Sequence, residues 1–190
     1  MKTVGPGNTR WWVLALLSAL MFGNYYVYDV IAPVAELLER QLGFTDTQIG
    51  ALNAIYSLPN IFLVLVGGVI VDRYGAAKVT LWTTALCLVG AVLTAWKGDF
   101  VTMAAGRLLF GMGAETMLIA VTVATGIWFR HGGVAFAMGL SLSVARAGSY
   151  AVDLSPVWAG PVYDSGWQAP LVLAAGFAVF SMLTAIAYWW

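Results

Sequence analysis

Long apolar stretches alternate with short polar ones along the whole chain. The apolar runs cover about 11–35, 48–71, 78–97, 101–128, 134–159 and 168–190, and the segments between them are brief: ERQLGFTDTQ, DRYGAAK, KGDF, RHGG and DSGW. Each run is close to the roughly 20 apolar residues that a helix needs to span a bilayer. The pattern therefore predicts an all-α membrane protein with six transmembrane helices, consecutive ones packed as antiparallel neighbours. No linker or change of composition divides the chain, so residues 1–190 read as one six-helix bundle.

Composition supports a bilayer as the solvent. Hydrophobic residues make up 61% of the chain, charged residues 9%, and nine tryptophans are present, with a mean hydropathy of +0.85. An ordinary soluble domain does not look like this. The net charge of zero says nothing about partners, but its distribution sets an orientation. With the N-terminus inside, the inner segments hold Lys2, Arg10, Arg73, Lys78 and Arg130, and the outer ones hold Arg40 and Lys97. The excess of basic residues on one side places both termini in the cytoplasm, at the plasma (inner) membrane if the source is bacterial. Trp11, Trp12, Trp189 and Trp190 fall at span ends, where tryptophan anchors helices in the interface. The single cysteine, Cys87, reads as a small packing residue, and His131 as a solvated loop residue. Pro59 and Pro156 fall in the second and fifth spans and Pro161 just beyond the fifth, where they can kink a helix, although membrane helices tolerate proline without a gating role.

Five charges remain inside the predicted spans: Asp29, Arg107, Glu115, Arg146 and Asp153. Each is costly in hydrocarbon, so such residues face a bundle interior or a wet cavity and pair with one another. Counting about 1.5 Å per residue from the span ends puts Glu115 and Arg146 near the midplane, with the other three in the outer half. Helical spacing then gathers polar side chains into faces. The first span offers Asn24, Tyr25, Tyr28 and Asp29, the second Asn53, Tyr56, Ser57 and Asn60, and the fifth Gly139, Ser143, Arg146, Tyr150 and Asp153. Three such faces can line one cavity. The plainer alternative is that they hold the bundle together through interhelical hydrogen bonds.

The segment GGVIVDRYGAAK, with Gly68, Asp72, Arg73, Gly75 and Lys78, resembles the loop between helices 2 and 3 of the major facilitator superfamily. In that reading Gly68 permits close helix approach, and Asp72 can accept from a helix N-terminus of an opposing half. GRLLFGMG, with Arg107, Gly111 and Gly113, is similar to the family's helix 4 pattern. YYVYD, YSLPN, RLLFGMGAE, WF and SLSVARAGS together resemble its lysosomal dipeptide transporters and their bacterial relatives. The resemblance implies two inverted three-helix repeats forming one half of a twelve-helix fold, with substrate held between halves. A faint echo of the repeat is GVIVDRYG at 68–75 against GPVYDSG at 160–166. It also implies that Glu115 takes the ammonium and Arg146 the carboxylate of a dipeptide. Asp29, Tyr25, Tyr28, Asn53, Tyr56, Asn60 and Tyr150 would complete the binding surface, while Arg107 and Asp153 join the loop residues in gating or coupling.

The partners expected are a small-molecule substrate, the lipid bilayer and either a C-terminal transporter half or a second copy; no nucleic acid or cofactor is expected. The chain stops flush with the end of the sixth span, so it reads as a fragment of a longer transporter or as a half that must assemble. Two other functions remain open: an organic or inorganic anion transporter using Arg107 and Arg146, and a non-transporting scaffold whose buried charges bind another membrane protein. No Ser/His/Asp set, nucleotide-binding glycine loop or metal-ligand spacing points to an enzyme. The topology is checked by single cysteines in a Cys87→Ala background. Arg73→Cys and Arg130→Cys should resist impermeant thiol reagents added outside intact cells, and cysteines at Asp46, Asp99 and Asp164 should react. Outside labelling at position 73 or 130 would sink the assigned orientation.

Overall fold

In a bilayer a backbone N–H or C=O without a partner costs several kcal/mol, so apolar stretches fold as helices that bond internally. The computed structural model describes residues 8–190, and of Asn60, Ile61 and Val64 the backbone alone; Lys2 lies outside the described residues. The helices in order are α1 (Thr9–Asp29), α2 (Ile31–Leu42), α3 (Asp46–Ile55), α4 (Asn60–Tyr74), α5 (Ala76–Trp96), α6 (Phe100–Trp128), α7 (Val134–Asp153), α8 (Ser155–Trp158), α9 (Gly160–Asp164) and α10 (Gln168–Trp189). By length and composition four spans among the described residues can cross a membrane. They are Thr9–Leu42, which joins α1 to α2, and the helices α5, α6 and α10.

The remaining two expected spans are interrupted or polar, for identifiable reasons. Tyr56–Pro59 form turns between α3 and α4, and Pro59, which has no N–H to donate, is the N-cap of α4. The single polar stripe expected from Asn53 to Asn60 is therefore divided between two helices, and the side chain of Asn60 lies outside the described residues. α7 stops at Asp153, six residues short of the expected end, and Pro156 and Pro161 open the short helices α8 and α9. All three prolines singled out in the sequence stand at helix starts, where proline is tolerated. The first span is longer than its apolar run. It gives way at Val30, because Pro33 has no N–H for the Asp29 carbonyl, and resumes to Leu42. It ends at Gly43, whose φ of 70° suits glycine, with the Gly43 N–H on the Glu39 carbonyl at 3.0 Å and the Phe44 N–H on Leu38 at 3.3 Å.

Small residues draw the long helices together. The α5–α6 contact is the most extensive in the bundle. A Cβ on Gly90 would strike the Phe110 N–H and the Gly106 carbonyl, and one on Gly106 would strike Thr94. Cys87 is buried in the same seam, its Sγ 3.7 Å from the Phe110 carbonyl. α1 packs against α7 on one side, with Gly148 on the Phe22 backbone, and α10 on the other. Ser181 Oγ donates to the Leu20 carbonyl there at 3.0 Å.

The bundle has two rims. At the near rim the start of α1, the α4–α5 turn, the end of α6 and the end of α10 meet around Val13, Val71, Ala76 and Ala124. The far rim holds the end of α2, the starts of α3, α6 and α10, and the end of α5. Capping there is explicit. Thr45 and Gln48 form a reciprocal capping box on α3. Asp99 caps α6 by accepting from the Thr102 N–H at 3.0 Å, which holds its carboxyl below the usual carboxylate value, aided by Lys97.

Arg107 ties the interrupted helices to α6. Its side chain is 1% exposed, with Nη2 on the Tyr28 carbonyl at 2.6 Å, Nη1 on Val27 at 3.0 Å and Nε on Leu52 at 3.3 Å. These carbonyls lie in the last turns of α1 and α3, where a helix runs out of its own donors. The guanidinium plane rests over the Tyr56 ring at 4.8 Å and the Phe110 ring at 5.5 Å.

Two outcomes follow from this packing. Gly106→Ala should destabilise the bundle by about 1–3 kcal/mol through overpacking, whereas Gly126→Ala, with nothing within 4 Å of the added carbon, should be neutral or stabilising. Equal melting temperatures for the two variants in detergent would exclude the close seam. Arg107→Gln should lose about 3 kcal/mol, at about 1 kcal/mol for each carbonyl left without a donor. Arg107→Lys should recover only part, because an ammonium cannot reproduce the planar fork. Full recovery of the melting temperature by lysine would mean that charge, not the three-way hydrogen bonding, is what matters.

Candidate functional site

The end of α1 turns an aromatic face toward α6 and α7. Tyr25 and Tyr28 stack with centroids 5.6 Å apart and planes at 20°, and Tyr28 meets Tyr56 at 4.2 Å. Tyr56 is placed by the α3–α4 break and by Arg107 beneath it. Across from this stack, α6 carries Ala114, Glu115, Met117 and Leu118. Together with Met21, Asn24, Tyr25 and Tyr28 they enclose a cavity of about 210 Å³. α7 adds a cation: the Arg146 guanidinium lies 5.4 Å above the Tyr25 ring. Tyr25 thus sits within electrostatic range of Arg146, Glu115 and Asp29 together. Glu115 is half-buried, and Arg146 is exposed on the open side of α7.

A second cavity, about 300 Å³, continues from the first and shares Met21, Tyr25 and Leu118 with it. Its other walls are Val121, Thr122 and Thr125 of α6 and Met138, Ser141 and Leu142 of α7. The result is one groove between α1, α6 and α7, with charged groups at one end and apolar ones at the other. Reading only polar side chains from the sequence missed the apolar end. Its signal was the same helical spacing carried onward: Met21 precedes Tyr25 by one turn, Leu118, Thr122 and Thr125 follow Glu115, and Met138 and Leu142 precede Arg146 at intervals of four.

Of the expected binding residues, Tyr25, Tyr28 and Glu115 line the groove, and Arg146 and Tyr56 touch its aromatic wall. Asp29 is half-buried at the end of α1, within electrostatic range of both Tyr25 and Arg107. Asn53 is half-buried on α3 and does not line either cavity, and Tyr150 and Asp153 do not either. The α7 stripe of Gly139, Ser143, Arg146, Tyr150 and Asp153 does share one face, and all five are exposed.

The α4–α5 turn has the geometry its sequence implies in part. Gly75 takes φ 85° and donates to the Val71 carbonyl at 2.8 Å, which lets the chain reverse directly into α5. Arg73 lies over Tyr74 and Lys78 over Trp189, while Asp72 is exposed. Gly68, expected at a close helix contact, has no neighbour within 4 Å of an added Cβ within this chain. The close approach of α4 to α6 is made by Gly67, against Ile119.

Comparison with known proteins agrees with this architecture. The family model described as Major Facilitator Superfamily matches residues 14–190. The lysosomal dipeptide transporter MFSD1 of Mus musculus is 34% identical over 141 residues, covering 72% of this chain and 30% of that protein. Its Danio rerio counterpart is 30% identical over 189 residues, 92% of this chain and 40% of that protein. A probable sulfoacetate transporter, SauU, of Cupriavidus necator is 26% identical over 182 residues, 95% of this chain and 42% of that protein. The chain spans less than half the length of each of these relatives. With an all-helical bundle, apolar spanning helices and a family match over nearly its whole length, the chain belongs to the Major Facilitator Superfamily, a family of membrane transporters and not of enzymes.

Proposed function

We propose that this chain is the N-terminal six-helix half of a transporter that moves a small zwitterionic solute, such as a dipeptide, by alternating access. The observation that carries the reading is the meeting of Arg146, Tyr25 and Glu115 at one end of a single groove. A carboxylate suits the fork of an arginine, and an ammonium suits a half-buried glutamate beside tyrosine rings. The adjoining space walled by Met21, Leu118, Met138 and Leu142 would receive the solute's apolar side chain. Tyr28, Tyr56, Asp29, Asn53, Asn60 and Tyr150 belong to the binding surface of the complete transporter in this reading. Gly68, Asp72, Arg73, Gly75, Lys78 and Asp153 belong to its gate, and Arg107 couples the two.

Six spans require α3 with α4, and α7 with α8 and α9, to cross as interrupted helices. Interrupted helices are tolerated at membrane depth where they are covered by protein or line a cavity. Two inverted three-helix repeats fit the recurrence of Asp72 and Gly75 in Asp164 and Gly166, since both glycines adopt positive φ. The exposed polar face of α7 calls for a covering C-terminal half or second copy. In this reading the protein is multi-pass with both termini on the cytoplasmic side, as the excess of basic residues at one rim suggests.

An organic-anion solute is the second reading, favoured by the likeness to SauU and by the exposed cation of Arg146. Arg107 does not line the groove, and three of its N–H donors are engaged by backbone carbonyls. Binding of end-blocked dipeptides to the full transporter separates the two. Acetylating the amine should weaken wild-type binding at least about thirtyfold, the scale of about 2 kcal/mol for truncating one side of a buried charge pair, but should cost Glu115→Gln little. Amidating the carboxylate should behave likewise toward Arg146→Lys. Losses that are equal in wild type and variant, in both cycles, would remove the two residues from the binding site. Tolerance of acetylation with intolerance of amidation would favour the anion reading.

A further inference from the structure

The two rims treat their cations differently. At the far rim each cation meets a carboxylate: Arg40 pairs with Glu36 one turn before it, and Lys97 with Asp99 at 3.2 Å. At the near rim, among the described residues, Arg10, Arg73, Lys78 and Arg130 form no ion pair. Rings hold them instead. Arg10 lies over Trp11 at 5.3 Å and Phe129 at 5.5 Å, Arg73 over Tyr74 at 5.5 Å, and Lys78 over Trp189 at 6.0 Å. Arg130 Nε donates to His131 Nε2 at 2.9 Å. Asp72 is the one acidic side chain on the described segments ending at this rim.

One corner of the rim is the most concentrated. Phe129 lies under Arg10 and directly precedes Arg130, and Trp11 makes edge contacts with Phe129 at 5.3 Å and with Phe136 at 6.2 Å. Arg10 Nε is buried there without a hydrogen-bond partner. Cation–π contact uses the face of a guanidinium and leaves its N–H edge for an acceptor. α7 starts alongside at Gly133 with no side-chain cap, so its first N–H groups also lack a partner from a capping side chain. Trp11 and Phe136 are 43% and 62% exposed, which offers apolar surface at the level where a spanning helix begins.

We propose that this corner, formed by Arg10, Trp11, Phe129, Arg130 and Phe136, is a binding site for an anionic phospholipid. The phosphate lies between the Arg10 and Arg130 guanidinium edges, and the acyl chains lie on Trp11 and Phe136. The lipid supplies the negative charge that this corner lacks and that the far-rim cations already have in Glu36 and Asp99. The site is independent of the solute groove, so it stands whichever solute is carried.

Co-elution of radiolabelled phosphatidylglycerol with the purified protein in mixed micelles tests it, against phosphatidylcholine of the same chains. Phosphatidylglycerol should be retained preferentially. A protein carrying both Arg10→Gln and Arg130→Gln should hold it about twenty-five-fold more weakly, about fivefold for each cation removed from an anionic surface. The far-rim pair Arg40→Gln with Lys97→Gln should change retention less than about twofold. Glycerol phosphate, which has the headgroup charge without the chains, should fail to compete. Should the double variant not fold, the wild type still decides, because retention of phosphatidylglycerol should fall as salt is raised and that of phosphatidylcholine should not. Equal retention of the two lipids, equal losses from near-rim and far-rim variants, salt-insensitive retention, or displacement by glycerol phosphate would each overturn the site.

Discussion

A carbonyl inside a membrane must have a donor, and the Arg107 side chain supplies donors where the interrupted helices run out of their own. Burying an arginine is costly, and three charge-assisted hydrogen bonds with two aromatic faces offset that cost. The geometry of the groove depends on this anchor. Tyr28 is held through its own carbonyl, Tyr56 through the ring beneath which the guanidinium lies, and their contact at 4.2 Å forms the wall against which Tyr25 stacks. Arg107 therefore acts on the cavity without lining it.

Continuous and interrupted helices divide the work. α5, α6 and α10 run unbroken, and glycines bring α5 and α6 into backbone contact, which leaves little room for sliding. The interruptions fall at Val30, at Tyr56–Pro59 and beyond Asp153, all in the part of the bundle toward the far rim. Each lies next to residues of the proposed site: Tyr28 and Asp29 before the first, Tyr56 inside the second, Tyr150 before the third. A frame that resists deformation and three local breaks beside the cavity are what a gate at one rim requires.

Much of this was legible in the sequence. Apolar runs separated by charged segments gave the helix order, and intramembrane charges at similar depth pointed to Glu115 and Arg146. Their neighbour Tyr25 followed from helical spacing. The breaks were less legible because hydrophobicity reports side chains, whereas a break is a matter of backbone donors. Pro33 carried that signal for Val30, and Pro59 for the α3–α4 turns, but an apolar run continues smoothly through both. The anchoring contacts of Arg107 were hidden for the same reason, since its partners are carbonyls that every residue possesses. Within this chain the close contact in α4 is made by Gly67 and not by Gly68, a shift of one position that turns a helix face by about 100° and that adjacent glycines cannot announce. The apolar end of the groove was hidden by its chemistry: Met, Leu and Val on a spanning helix look alike whether they meet lipid, a neighbour or a solute.

The open face of α7 links the energetics of the bundle to its proposed task. Arg146 and the polar stripe around it cannot rest against hydrocarbon without a cost of several kcal/mol, so water or another protein surface must lie there. Water alone would leave the groove permanently open, and a fixed protein cover would leave it permanently closed. In the proposed reading a zwitterionic solute changes this balance, because it would bring a carboxylate to Arg146 and an ammonium toward Glu115 and so lower the cost of bringing a covering surface across them. Closure would then be favoured by the cargo itself.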